Sequence, residues 1–219
     1  MTVLLFGATG MVGQGVLREC LSDPDVETVV SIGRGAAGQK HPKLREQPHH
    51  DFLDFSAIQD QLSGFNACFF CLGVSSAGLN EEQYTLVTYG FTIAAAHVLA
   101  KVNPNMTFIY VSGLGTDSSE GGRSMWARVK GKTENELLRM PFRAAYMFRP
   151  GLIVPLYGVK SKTKLYRFFY LLLAPLMPLL YKLFPKYVTT TEQIGRAMLK
   201  VVRQGYPKPI LETPDINNV

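Results

Sequence analysis

The first twenty residues constrain this chain most. Val3 to Phe6 form an apolar run, Gly7-Ala8-Thr9-Gly10-Met11-Val12-Gly13 spaces three glycines evenly, and Val16, Leu17 and Cys20 follow at helical spacing. That order predicts a buried strand, a tight turn and a helix. Glycines let a backbone approach a pyrophosphate, and the following helix points its N-terminal amides and positive dipole end at that anion. The spacing is G-x-x-G-x-x-G rather than G-x-G-x-x-G, but its place directly between strand and helix is the context such a loop needs. Gly7, Thr9, Gly10, Met11, Val12 and Gly13 are therefore candidate contacts for a dinucleotide.

The rest of the chain alternates strand and helix signals. Glu27 to Ile32 (ETVVSI) reads as a second buried strand, ending at Gly33-Arg34. A carboxylate at that strand end suits the ribose of NAD, whereas arginine suits a 2′-phosphate, so Arg34 favours NADP over NAD. Lys40 to Gln47 is polar and expected to be loop, with a short strand in Pro48 to Asp54 ending near Asp51-Phe52, where a carboxylate can accept from an adenine amino group. Phe55 to Leu62 reads as a short helix and Asn66 to Leu72 (NACFFCL) as a central strand covered on both faces. Small residues follow from Gly73 to Gly78, leaving room for a ribose or nicotinamide against the backbone. Glu81 to Val102 predicts a long helix with Leu86, Ile93, Ala94, His97 and Val98 inward. Met106 to Val111 is a strand ending at Ser112-Gly113. Ser124 to Met140 is a helix with Trp126 and Lys130 on one face, and Ala144 to Phe148 is a strand closed by Arg149-Pro150-Gly151. The alternation predicts an α/β fold, a Rossmann-type doubly wound parallel sheet.

Composition narrows the function. At 219 residues one domain is expected, 1–219, with 159–219 contributing a small helical and apolar substrate-side subregion. A net charge of +6 suits an anionic ligand, but no Lys/Arg block with interleaved aromatics points to nucleic acid, and none is expected as partner. Cys20, Cys68 and Cys71 read as reduced packing thiols. Phe69 and Phe70 lie between the last two inside an apolar strand, and no second pair completes a zinc site. His49 and His50 point to opposite faces of a strand, so no metal is expected. The apolar start runs straight into the glycine loop without a leader-like region, which predicts a cytoplasmic protein. Asp215 to Val219 are expected to be disordered.

Beyond Gly158 a basic stretch leads into Phe168 to Tyr181 (FFYLLLAPLMPLLY). It is shorter than the roughly 20 residues a bilayer span needs and carries Pro175 and Pro178, so no transmembrane segment is expected there. Three uses remain open: a wall over an apolar substrate pocket, a homodimer surface, or a peripheral membrane contact, the last two through residues 165–184.

Ser112, Trp126, Lys130 and Arg149-Pro150-Gly151 resemble the short-chain dehydrogenase/reductase superfamily, nearest its atypical, NAD-dependent epimerase/dehydratase-like and NAD(P)H-binding members. The likeness runs from Thr2 to about Gly158. It includes the glycine loop, the basic residue after strand two, D-F after strand three and C-L-G (Cys71, Leu72, Gly73) after strand four. The resemblance implies that these positions and Arg149-Pro150-Gly151 contact the cofactor, that Ser112 holds the substrate oxygen, and that Lys130 binds the nicotinamide ribose. In the family a tyrosine four residues before the lysine is the general acid. Trp126 stands there, and an indole N–H is not a proton donor and acceptor near neutral pH. Two readings follow. One is an NADP-dependent oxidoreductase or epimerase-like enzyme on a small apolar carbonyl or sugar-derived substrate, its proton coming from another group such as Tyr89 or a water held by Ser112. The other is a non-catalytic NADPH-binding regulatory, assembly or membrane-peripheral protein.

Overall fold

The structure is a computed structural model and describes residues 1–158 and 186–219. Strand β1 (Thr2–Phe6) leads through the glycine loop to helix α1 (Met11–Ser22), then to β2 (Thr28–Gly33) and β3 (Leu44–Pro48). A 3₁₀ turn (Ser56–Leu62), β4 (Ala67–Phe70), α2 (Glu81–Thr85), a π turn (Leu86–Gly90) and α3 (Phe91–Val102) follow. Next come β5 (Thr107–Val111), α4 (Met125–Arg139), β6 (Ala144–Arg149) and the short β7 (Leu152–Val154). After the undescribed residues come β8 (Val188–Thr190), α5 (Thr191–Gln204), β9 (Ile210–Glu212) and α6 (Thr213–Asn218).

Seven strands form one parallel sheet in the order β3-β2-β1-β4-β5-β6-β9. The chain starts in the middle, winds to one edge, and resumes at β4 on the other side of β1. That reversal opens a crevice at the carboxyl ends of β1 and β4, where doubly wound sheets bind ligands. Alternation along β1 supplies both faces: Val3 and Leu5 enter one apolar cluster with Val16, Leu17, Ala197 and Met198, while Leu4 and Phe6 enter the other with Phe55, Phe70, Ile93 and Leu99.

Residues 186–219, expected to serve the substrate side, also complete this sheet and one of its layers. Helix α5 opens on a side-chain cap, with the Thr190 hydroxyl accepting from the Gln193 amide at 3.0 Å. It crosses α1 closely: a Cβ on Gly15 would lie 2.5 Å from Thr191 Cβ, and one on Gly195 3.2 Å from Val16 Cα. Arg196 Nε donates to buried Glu19 of α1 at 3.1 Å.

Several expectations are corrected. The third strand is Leu44–Pro48, in the stretch expected to be loop, and Asp51-Phe52 lies beyond it. As an edge strand with one neighbour it is largely solvated, so a polar sequence suffices, and an edge tolerates Pro48. The predicted helix over Glu81–Val102 is interrupted by the π turn. The turn's extra residue rotates the apolar face, so Leu86 and His97 are exposed while Thr88, Ala95 and Leu99 are buried. That helix is also long and apolar enough to cross a bilayer. Here it packs on the sheet through Ile93, Ala95, Ala96 and Leu99. The chain end is ordered: Glu212 and Asp215 form a reciprocal cap on α6, and Ile216 is fully buried.

Candidate functional site

The crevice is floored by the glycine loop. Gly7 has φ +79°, and a Cβ there would sit 2.6 Å from the amide nitrogen of Leu72 and 2.7 Å from the carbonyl of Cys71. A Cβ on Gly13 would overlap the carbonyl oxygen of Gly7. These two glycines therefore let the loop fold under itself and bring it against the end of β4. The Gly10 amide closes the turn onto Gly7 O at 2.9 Å, and Gly10 is the N-cap of α1 without a side-chain cap. The first amides of α1 and its positive end are thus turned to the crevice, with Met11 and Val12 half-buried beside them. Cys71 and Leu72 are half-buried and Gly73 exposed on the β4 side of the opening. Arg34 is exposed at the end of β2, and no hydrogen bond or ion pair among the described residues holds it.

Of the pair expected at the adenine, Asp51 is exposed and its carboxylate accepts from the Leu53 amide at 2.9 Å. The Phe52 side chain turns away into the core, stacked on Phe91 at 5.6 Å between ring centroids. Its ring is a packing element, so only its backbone and Asp51 remain on that side. His49, read as structural, is buried and stacks on Phe55 at 4.6 Å.

Across the crevice stands the β5–α4 wall. Lys130 is half-buried, and its Nζ donates to the carbonyl oxygen of Ser112 at the end of β5. Burial pulls its ammonium down to about 8, against the opposing pull of the Glu134 carboxylate. One turn earlier, Trp126 is half-buried with its ring edge over Gly115.

Ser112, expected at the substrate oxygen, has its hydroxyl engaged within the protein. Its hydroxyl donates to Glu134 Oε1 at 2.5 Å, lies 3.2 Å from the carbonyl oxygen of Phe148, and is buried, so it faces the protein rather than the crevice. Arg149, expected at the cofactor, is likewise committed. Its guanidinium pairs with Glu134 through Nε and Nη2, reaches Ser118 Oγ at 2.5 Å and Glu212 at 3.4 Å. Pro150 and Gly151 join this wall by backbone: Pro150 O accepts from Leu114 at 2.9 Å, and Gly151 N donates to Thr213 Oγ1 at 2.8 Å. The organising residue is Glu134, fully buried, which sequence reading passed over. Its place four residues after Lys130, on the inward face of a polar helix, was the available signal. Tyr89, considered as a proton donor, lies under Lys132 at 4.7 Å, on a different flank of α4 from Lys130. No cluster of metal ligands occurs among the described residues. The apolar run 168–181 and the contacts expected through 165–184 lie outside the described residues.

No protein-family model matches the chain. The Aspergillus terreus protein fmp52-1, named as mitochondrial, is 30% identical over 158 residues, covering 69% of this chain and 66% of that protein. The chain thus spans just under two thirds of that relative's length. A short chain dehydrogenase family protein from Francisella tularensis superposes with a TM-score of 0.67 at 14% identity, over 96% of this chain and 95% of that one. The fold is that of the short-chain dehydrogenase/reductase superfamily. Another structure of this fold, the Bordetella bronchiseptica enzyme WbmF in complex with NAD+, matches with a TM-score of 0.70 at 12% identity, over 99% of this chain and 76% of that one. The sequence relatives correct the expected location. Fungal proteins that match here, from Aspergillus, Scheffersomyces, Candida and Debaryomyces, are named as mitochondrial, so the cytoplasmic expectation drawn from the chain's start does not stand.

Proposed function

We propose that this chain binds a nicotinamide dinucleotide, NADP(H) in preference to NAD(H), and works as a reductase or epimerase-like enzyme on a small apolar carbonyl or sugar-derived compound. The observation that carries this is the glycine loop, where Gly7 and Gly13 leave no room for a Cβ and turn the amides of α1 into the crevice. The residues present fit the group: a backbone cradle for the pyrophosphate, exposed Arg34 for a 2′-phosphate, and Lys130, which the superfamily resemblance assigns to the nicotinamide ribose. The cofactor supplies the hydride. The chain's residues bind it, orient it and hold the substrate oxygen near Lys130, with Val74 and Leu114 as exposed apolar neighbours at the ends of β4 and β5.

A second reading has its own observation. Trp126 and the engaged Ser112 hydroxyl remove two groups on which the superfamily's chemistry depends, which supports a protein that holds NADPH without turning it over. One experiment separates the two. Trp126 is the single tryptophan, so NADPH titration should quench its emission more strongly than NADH. Steady NADPH oxidation over a panel of aldehydes and ketones then supports the enzyme, and quenching without oxidation supports the second reading. Trp126→Tyr should raise turnover, by up to the 10²- to 10⁴-fold that a proton donor contributes. An unchanged rate would remove the role assigned to position 126.

A further inference from the structure

The turn after β2 is an arch fastened to β3 at both feet. At the first foot the His49 amide donates to Gly33 O at 2.9 Å. At the second the Ala37 amide donates to Glu46 Oε1 at 2.6 Å, and Ala37 packs against the apolar cluster that holds Val3, Leu5 and Val29. Glu46 pairs in register with Ser31, two residues before Gly33, so the chain leaving β2 curls back to reach it. Between the feet Arg34, Gly35 and Ala36 are exposed. Gly38, at φ +82° and with open space where a Cβ would stand, turns the chain away directly after the second foot.

Glu46 is an exposed carboxylate on an edge strand, and among the described residues no lysine or arginine pairs with it. A charged acceptor makes its bond to the Ala37 amide stronger than a neutral one would be. Its charge has the wrong sign for a loop that receives a phosphate, but water and salt screen that repulsion at an exposed site. The geometric effect runs the other way. With glycines at 33, 35 and 38 the turn has little stiffness of its own, and an unfastened arch would have to be ordered each time Arg34 engaged a ligand.

We propose that Glu46 is a positioning residue for recognition of the cofactor's 2′-phosphate. By holding the Ala37 amide it keeps the arch in one shape and presents Arg34 at the end of β2, so preference for NADPH over NADH depends on a β3 residue that acts only through the loop. This rests on the NADP(H) reading above. Position and charge then have opposite signs: losing the acceptor weakens NADPH, whereas losing the charge alone does not.

Two variants of the full chain separate them. Glu46→Gln keeps an oxygen acceptor and removes the charge, and Glu46→Ala removes both. Affinities for NADPH and NADH are read from Trp126 emission, and hydrogen exchange of the Ala37 amide is followed by NMR without cofactor. Glu46→Ala should speed Ala37 exchange and weaken NADPH about three- to tenfold, as for one lost hydrogen bond, while NADH stays within about twofold of the parent. Glu46→Gln should restore both the Ala37 protection and the NADPH affinity. NADPH binding by Glu46→Ala as tight as the parent's, or tighter, overturns the proposal, since the carboxylate then acts by repulsion or not at all. Equal weakening of NADPH and NADH overturns it too, tying Glu46 to the fold rather than to the phosphate. A parent that binds the two cofactors equally removes the phosphate role of Arg34 and this one with it, whereas absence of quenching by either overturns the cofactor reading itself.

Discussion

The two walls of the crevice have fared differently. On the β1–α1 wall, backbone makes the site. Gly7 and Gly13 are there because nothing larger fits against the backbone of Cys71, Leu72 and the loop itself. On the β5–α4 wall, side chains that resemble a catalytic set are largely spent on one another, with Ser112, Arg149 and Ser118 gathered around Glu134. A binding site built from main chain is preserved by the fold itself, whereas a reaction site built from side chains can be turned to structural use without disturbing the sheet. The matched spacing of Ser112 and Lys130 therefore says less about chemistry than the loop says about binding.

The sharpest way to break this contrast is at Glu134. Glu134→Ala leaves the buried Arg149 guanidinium with only the longer 3.4 Å contact to Glu212; breaking a buried pair costs about 3–5 kcal/mol, and urea unfolding should register that loss. If stability changes by less than about 1 kcal/mol, the far wall is not held together by this pair. Next is Gly13→Ala, which should cost about 1–3 kcal/mol through overlap with Gly7 O and remove NADPH quenching. Retained quenching would mean that the loop does not carry the dinucleotide. Arg34→Ser should leave stability within about 0.5 kcal/mol of the parent, as for an exposed side chain. It should weaken NADPH about ten- to a hundredfold, the value of a charge-assisted bond of about 1.5–3 kcal/mol, while NADH is unaffected. Equal weakening of both cofactors would place Arg34 elsewhere.

The smallest effect concerns Lys130 in the cofactor-free protein. Its pKa falls from 10.5 to about 8 on folding, so between these values the unfolded chain binds the extra proton and stability rises with pH. Below about 8 both states carry it and the burial penalty is present in full. Lys130→Met should then melt higher than the parent at pH 7, with the advantage shrinking as pH approaches 10.5. A constant difference across that range would mean that Lys130 is not desolvated.

Legibility in the sequence followed the range of the interactions. The β1 run, the glycine loop and α1 are local patterns, and their order was readable. Strand β3 was misplaced because pairing to β2 at the sheet edge, not apolar content, makes Leu44–Pro48 a strand. The face of α3 was misjudged because one π turn resets the helical count. The orientation of Ser112 was beyond sequence reading, since Glu134 and Phe148 stand 22 and 36 positions away and reach it only in the folded sheet. The end of the chain looked too polar to order, yet the sheet supplies its core through Leu211 and Ile216.

The close crossing of α1 and α5 bears on how the protein is made. Glu19 and Arg196 are separated by 177 positions, and the apolar side of α1, backed early by Val3, Leu5 and Val29, gains the rest of its cover when Ile194, Ala197 and Met198 arrive. At a synthesis rate of about 5–20 residues per second, the first helix emerges from the ribosome on the order of ten seconds or more before that cover exists. Through that interval Val16, Leu17 and Cys20 lack that part of their cover. The glycine loop is thus translated first, while the helix it feeds is fully packed only when the end of the chain arrives.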